Sequence, residues 1–115
     1  PERSWEETDF GRVPQGCFPL VICADVIEHI MDPDELLGFI KEIDFTACVM
    51  STPDRDTLNN EFGPPRNRSH LREWSFTEFE SYIGEHFQVM EHFHCREPGY
   101  KSQLIVFRKK TSMKT

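Results

Sequence analysis

Asp25, Glu28 and His29 stand at i, i+3 and i+4. On one helical turn they face the same side, as a bound cation or a substrate hydroxyl would require. Carboxylates combined with imidazole nitrogens suit Mn²⁺, Fe²⁺, Co²⁺ or Zn²⁺ better than Mg²⁺, which prefers oxygen ligands and water. His29, or the later His70, could equally act as a general base, because imidazole takes a proton from an attacking hydroxyl near neutral pH. A plainer reading stays open, in which Glu28 caps or pairs locally and His29 packs behind a strand. Arg66, Arg68 and Arg72 surround His70. They either contact a phosphate or carboxylate on a substrate or stand solvated on a surface loop.

The elements that must position these residues follow from patterning. Leu20-Val21-Ile22-Cys23-Ala24 is a short continuous apolar run, the signature of a central parallel strand buried on both faces. Asp32 then caps a helix, Pro33 suits its first turn, and Leu36, Leu37, Ile40 and Ile43 follow at helical spacing. Ala47-Cys48-Val49-Met50 is a second strand-like run, ended by Ser51-Thr52-Pro53-Asp54. Residues 54–73 are polar, and a loop that long inside a compact domain is usually functional or mobile. Ser75-x-x-Glu78 is a capping box, with Phe79, Tyr82 and Ile83 forming the apolar face of its helix. Two β-rich runs close the chain, Phe87 to Phe93 and Gln103 to Arg108, and the spacing predicts an antiparallel hairpin. Trp74 reads as an anchor of the loop against the helix. The phenylalanines Phe76, Phe79, Phe87 and Phe93 read as core. The organisation expected is one domain: a polar segment over 1–18, an α/β core over 19–109, and a flexible tail over 110–115. In such sheets ligands bind beyond the carboxyl ends of the parallel strands, which are Ala24-Asp25 and Met50-Ser51-Thr52.

These residues carry a resemblance. LVICADVIEH (residues 20–29) with VMSTPD (residues 49–54) is similar to the middle of a class I S-adenosylmethionine-dependent methyltransferase, whose fifth strand ends in "STPN"; Asp54 replaces the Asn. The resemblance implies a Rossmann-like sheet, mostly parallel with a terminal antiparallel hairpin, and S-adenosylmethionine as cofactor. Asp9-Phe10 is similar to the pair that holds the cofactor's adenine in that family, and Ala24 and Asp25 would line its methionine end. The family's first strand, Gly-rich loop and ribose-binding carboxylate have no counterpart here, and no G-x-G occurs in the chain. The resemblance therefore covers about the C-terminal half of a domain, and the isolated chain is expected to be inactive. SHLREWS (residues 69–75) and GYKSQLIVF (residues 99–107), with Asp25-x-x-Glu28-His29, are further similar to the small-RNA 3′-terminal 2′-O-methyltransferases. That resemblance implies a divalent metal held by Asp25, Glu28, His29 and His70.

Composition bounds the partners. The net charge is −7, which disfavours generic binding of RNA. His70-x-x-Glu73-Trp74 is also similar to a segment of bacterial methyltransferases of glycans and small molecules, and that resemblance implies a small molecule or glycan as the methyl acceptor. The third alternative is a truncated, non-catalytic association module. No apolar run is long enough to span a membrane. The chain opens Pro1-Glu2-Arg3-Ser4, without an apolar stretch, so no signal peptide is expected. The four cysteines form no C-x-x-C pair, and Cys23 and Cys48 sit in strand-like runs. They read as reduced thiols of a cytoplasmic protein rather than a zinc site or a disulfide framework. An uncovered edge on the Leu20–Ala24 strand would invite a homodimer.

Overall fold

The computed structural model describes residues 13–54, 73–95 and 102–111. In chain order these form strand β1 (Cys17–Ala24), a 3₁₀ turn (Ile27–His29), helix α1 (Pro33–Glu42), strand β2 (Asp44–Pro53), helix α2 (Phe76–His86), strand β3 (Gln88–Cys95) and strand β4 (Ser102–Arg108). Both helices start where the sequence signals them. The Asp32 carboxylate accepts from the Asp34 N–H, with Pro33 in the first turn. Ser75 and Glu78 exchange bonds in a complete capping box, satisfying N–H groups that the first helical turn leaves open.

The four strands form one sheet in the order β1-β2-β4-β3. β1 and β2 are parallel, joined through α1. β4 lies between β2 and β3 and runs antiparallel to both. The expected terminal hairpin is present. The expectation of a mostly parallel sheet is corrected: among the described strands only β1–β2 is parallel, because the chain returns down the middle as β4.

The helices cover the same face. Leu36, Leu37 and Ile40 of α1 and Phe79 and Ile83 of α2 share one core with Cys48, Met50, Ile105 and Phe107 of the sheet. Tyr82 donates to Asp34 at 2.5 Å, and Lys41 Nζ meets His86 Nδ1 at 2.8 Å, bridging α1 to α2. Rows of paired residues run across this covered face: Cys23, Met50, Ile105 and His92 form one, and Val21, Cys48, Phe107 and Val89 the next. The opposite face is apolar but uncovered among the described residues. Its rows are Ile22, Val49, Val106 and Glu91, then Ala24, Ser51, Leu104 and Phe93. Ile22 is 68% exposed, Leu20 49% and Phe93 46%.

Lys109 and Lys110, which follow β4, each make a contact back to the packed elements. Lys109 Nζ lies 5.3 Å from the Phe45 ring centroid, and Lys110 donates to the Glu85 carbonyl at 3.0 Å. The core's centre is aromatic. Phe107 is fully buried, with ring centroids 4.4 Å from Phe87 and 6.3 Å from Phe45. Phe107→Ala should cost about 3–5 kcal/mol, the cost of a large aromatic cavity. Urea denaturation would read this as a lower midpoint at unchanged slope; a loss below about 1 kcal/mol would mean the cluster does not hold the sheet to its helices.

Candidate functional site

The parallel pair directs its carboxyl ends to one edge of the sheet, and the chain leaves β1 there by a sharp turn. Asp25 takes φ +55°, a left-handed conformation that Asp tolerates better than most residues. The turn is tied to β2. The Asp25 N–H donates to the Ser51 carbonyl at 3.0 Å and approaches Ser51 Oγ at 3.2 Å. Ser51 Oγ in turn donates to the Asp25 carboxylate at 3.3 Å. Ala24 and Asp25 are both exposed at this edge, where they can line a ligand.

The helical premise for Asp25, Glu28 and His29 is corrected. Asp25 lies in the left-handed turn, before the short 3₁₀ segment that contains Glu28 and His29. Its carboxylate meets Ser51, whereas that of Glu28 turns inward. Glu28 is 1% exposed, and its Oε1 accepts from the fully buried Thr52 hydroxyl at 2.9 Å. Burial pushes the Glu28 carboxyl above its ordinary range, Asp25 adds to the rise, and the Thr52 bond and His29 oppose it. His29 Nε2 is 3.7 Å from Glu28 Oε2. No group of three or more His, Cys, Asp or Glu side chains able to hold a metal forms among the described residues. The described members of the metal set, Asp25, Glu28 and His29, therefore do not fit a cation by themselves, and no step is derived through one. Asp9, Phe10 and His70, with Arg66, Arg68 and Arg72, lie outside the described residues.

The structure adds a polar cluster that the sequence reading missed. Asp54, which ends the STPD run, is fully buried and pairs through its carboxylate with His94 Nδ1. His92 Nδ1 meets Glu80 Oε1 at 2.9 Å and its Nε2 meets Gln103 Oε1 at 2.8 Å. Phe76 stacks on both rings, at 3.6 Å from His92 and 4.2 Å from His94. Gln103 Nε2 donates to the Trp74 carbonyl at 2.9 Å. Trp74 is the expected anchor: it is buried and stacks on Tyr82 at 4.8 Å. The available signal was the His-x-His alternation of residues 92 and 94, which places both rings on one face of a strand. The cysteines are free, and burial pushes the Cys23 and Cys48 thiols up to about 12, making them poor nucleophiles. Among the described residues no helix is long and apolar enough to cross a membrane.

Neither a protein-family model nor a curated protein matches this chain. Solved structures do. A chain of the Pnkp1/Rnl/Hen1 RNA repair complex aligns with 91% of this chain at TM-score 0.59 and 19% identity, the match covering 24% of that chain. A S-adenosylmethionine-dependent methyltransferase from Clostridium acetobutylicum ATCC 824 aligns with 90% at TM-score 0.62 and 11% identity, covering 63% of its own length. The methyltransferase domain of bacterial CtHen1 aligns with 76% at TM-score 0.52 and 24% identity, covering 51% of its length. The fold is thus that of part of a S-adenosylmethionine-dependent methyltransferase, and the chain spans only part of each neighbour.

The buried Glu28 generates a pH prediction. Its carboxyl is raised from 4.5, so the folded state holds the proton more tightly than the unfolded state. Its contribution to stability is greatest below about 4.5 and declines as pH rises through the elevated folded value. Glu28→Gln keeps an acceptor for Thr52 and removes the titration. Thermal melts from about pH 4 to about pH 8 should show a smaller loss of Tm in the variant than in wild type. Parallel profiles would mean that Glu28 titrates alike folded and unfolded.

Proposed function

We propose that this chain is the C-terminal half of a S-adenosylmethionine-dependent methyltransferase domain, one that moves a methyl group to an oxygen or nitrogen of its acceptor. One observation carries the reading: the two parallel strands end side by side, with Ala24 and a left-handed Asp25 latched onto Ser51, in a fold shared with such methyltransferases. Ala24 and Asp25 would hold the methionine end of the cofactor, and Asp9 with Phe10 its adenine. The bound cofactor supplies an activated sulfonium methyl. What remains for the protein is to orient the acceptor in line with it and to receive a proton.

The acceptor can be a small molecule or a glycan. A second reading, RNA 2′-O-methyl transfer, is favoured by the Hen1 methyltransferase domain among the structural neighbours and by the SHLREWS and GYKSQLIVF segments. The net charge of −7 opposes it. A divalent metal held by Glu28, His29 and His70 would belong to that reading, with Asp25, turned toward Ser51, its weakest ligand. Such a site would need His70 to complete what the described residues leave incomplete.

The half-domain reading sets the expected affinity. With no Gly-rich loop to approach the cofactor, S-adenosylhomocysteine should bind the isolated chain at about millimolar Kd or weaker, about −4 kcal/mol by calorimetry. Micromolar binding would overturn it.

The open face generates a second expectation. Among the described strands β1 lies at an edge, and its own Leu20 and Ile22 are exposed. A second copy is the nearest available cover. Sedimentation at tens of micromolar, on the order of common working concentrations, should show a dimer or larger, and Ile22→Lys should shift it toward monomer. A monomeric wild type would remove self-association from the proposal.

A further inference from the structure

The acceptor of a methyl group must lose a proton, and the cluster behind Asp54 contains a group arranged to take it. We propose that Asp54 and His94 form a proton-accepting dyad at the carboxyl edge of the sheet, with His94 Nε2 as the base toward an acceptor hydroxyl or amine. This rests on the methyl-transfer reading for the identity of the reaction, and on geometry alone for the dyad.

The topology puts the pair at the right edge. β3 and β2 both run antiparallel to β4, so they share a direction, and β3 ends where β2 ends. The register carries His94 across Gln103 to Thr52, two residues before Asp54. Asp54 is fully buried, and its carboxylate accepts from His94 Nδ1. That contact places the ring proton on Nδ1 and the lone pair on Nε2, the tautomer a base requires. Phe76, stacked on the His94 ring at 4.2 Å, restrains its plane. The His94 side chain is 29% exposed, so the ring is supported from within yet reaches the edge.

His92, two residues earlier on the same strand face, shows the contrast. Its side chain is 2% exposed, and acceptors face both of its nitrogens, Glu80 at Nδ1 and Gln103 at Nε2. With both nitrogens occupied by protein partners and almost no exposure, neither is open to a substrate. The strand thus presents one histidine committed to structure and one with a nitrogen in reserve.

The step balances. As the acceptor oxygen or nitrogen bonds to the sulfonium methyl carbon, the carbon–sulfur bond breaks and its electron pair stays on sulfur, which leaves as a neutral thioether. The proton of the acceptor passes to His94 Nε2, and the Asp54 carboxylate offsets the imidazolium that forms. Solvent takes the proton afterwards.

The test uses the wild-type chain and reads the ring itself. Long-range ¹H–¹⁵N correlation of ¹⁵N-histidine protein at about pH 8 should show His94 protonated at Nδ1 and bare at Nε2. Diethyl pyrocarbonate, mapped by mass spectrometry, should acylate His94 several-fold faster than His92. Asp54→Asn should weaken the tautomer preference and slow that acylation. A His94 ring carrying its proton on Nε2, or one acylated no faster than His92, overturns the dyad. So does an Asp54→Asn variant that folds and leaves both readouts unchanged; if that variant does not fold, the two wild-type measurements decide. None of these readouts depends on methyl transfer. The dyad can therefore fail while the methyltransferase reading stands, and failed cofactor recognition would leave the histidine tautomer where it is.

Discussion

The carboxyl edge of this sheet depends on one buried carboxamide. Gln103 sits in β4 between β2 and β3 with no exposure. Its Nε2 donates to the Trp74 carbonyl at 2.9 Å and lies 3.5 Å from the Pro53 carbonyl, while its Oε1 faces His92. Two carbonyls on one side and an imidazole on the other leave the amide only one useful orientation. The groups it serves come from three places in the chain: the end of β2, the approach to α2, and β3. An apolar residue here would strand those groups at a cost of about 1–3 kcal/mol for each one left buried and unmet. The bridge between Asp54 and Trp74 draws the same two chain segments together. Asp54 and Trp74 are therefore held side by side.

A second buried polar contact does the same work nearer β1. Thr52 and Glu28 meet behind the strand ends, and that bond offsets part of the cost of desolvating Glu28. Its bond holds the 3₁₀ turn against β2, while Ser51 holds the left-handed Asp25 one residue away on the opposite face. Two successive residues of one strand, on opposite faces, thus latch the two halves of a single connection. The edge that carries Ala24 and Asp25 is built from paired polar groups, and the apolar core lies behind it.

What the sequence disclosed was local. The caps at Asp32 and Ser75, the apolar faces of both helices and the strand-like runs are short-range patterns, and each is found in the structure. The placement of β4 between β2 and β3 is a long-range choice that no window of residues encodes, and it is what made the sheet mixed. The i, i+3, i+4 spacing suggests a helical turn at Asp25 because spacing cannot reveal a residue with positive φ. Gln103 was hidden as the polar start of an apolar run. Asp54 reads in the sequence only as a replacement for Asn, since its partner His94 is distant in sequence and meets it through strand register. The resemblance supplied Asp9, Phe10 and His70, all outside the described residues.

The two faces of the sheet explain why a strand can read as doubly buried and yet stand half open. The run Leu20–Ala24 is apolar at consecutive positions, so both faces of β1 are apolar, the composition of a strand covered on each side. Val21 and Cys23 pack against the core beneath the helices. Leu20 and Ile22 point the other way and remain exposed, and along their rows Val49, Val106, Leu104 and Phe93 extend the apolar surface across the sheet. A one-layer cover would be served by alternating apolar and polar residues. The departure from alternation is the composition of strands covered on both faces, and it agrees with the half-domain proposal.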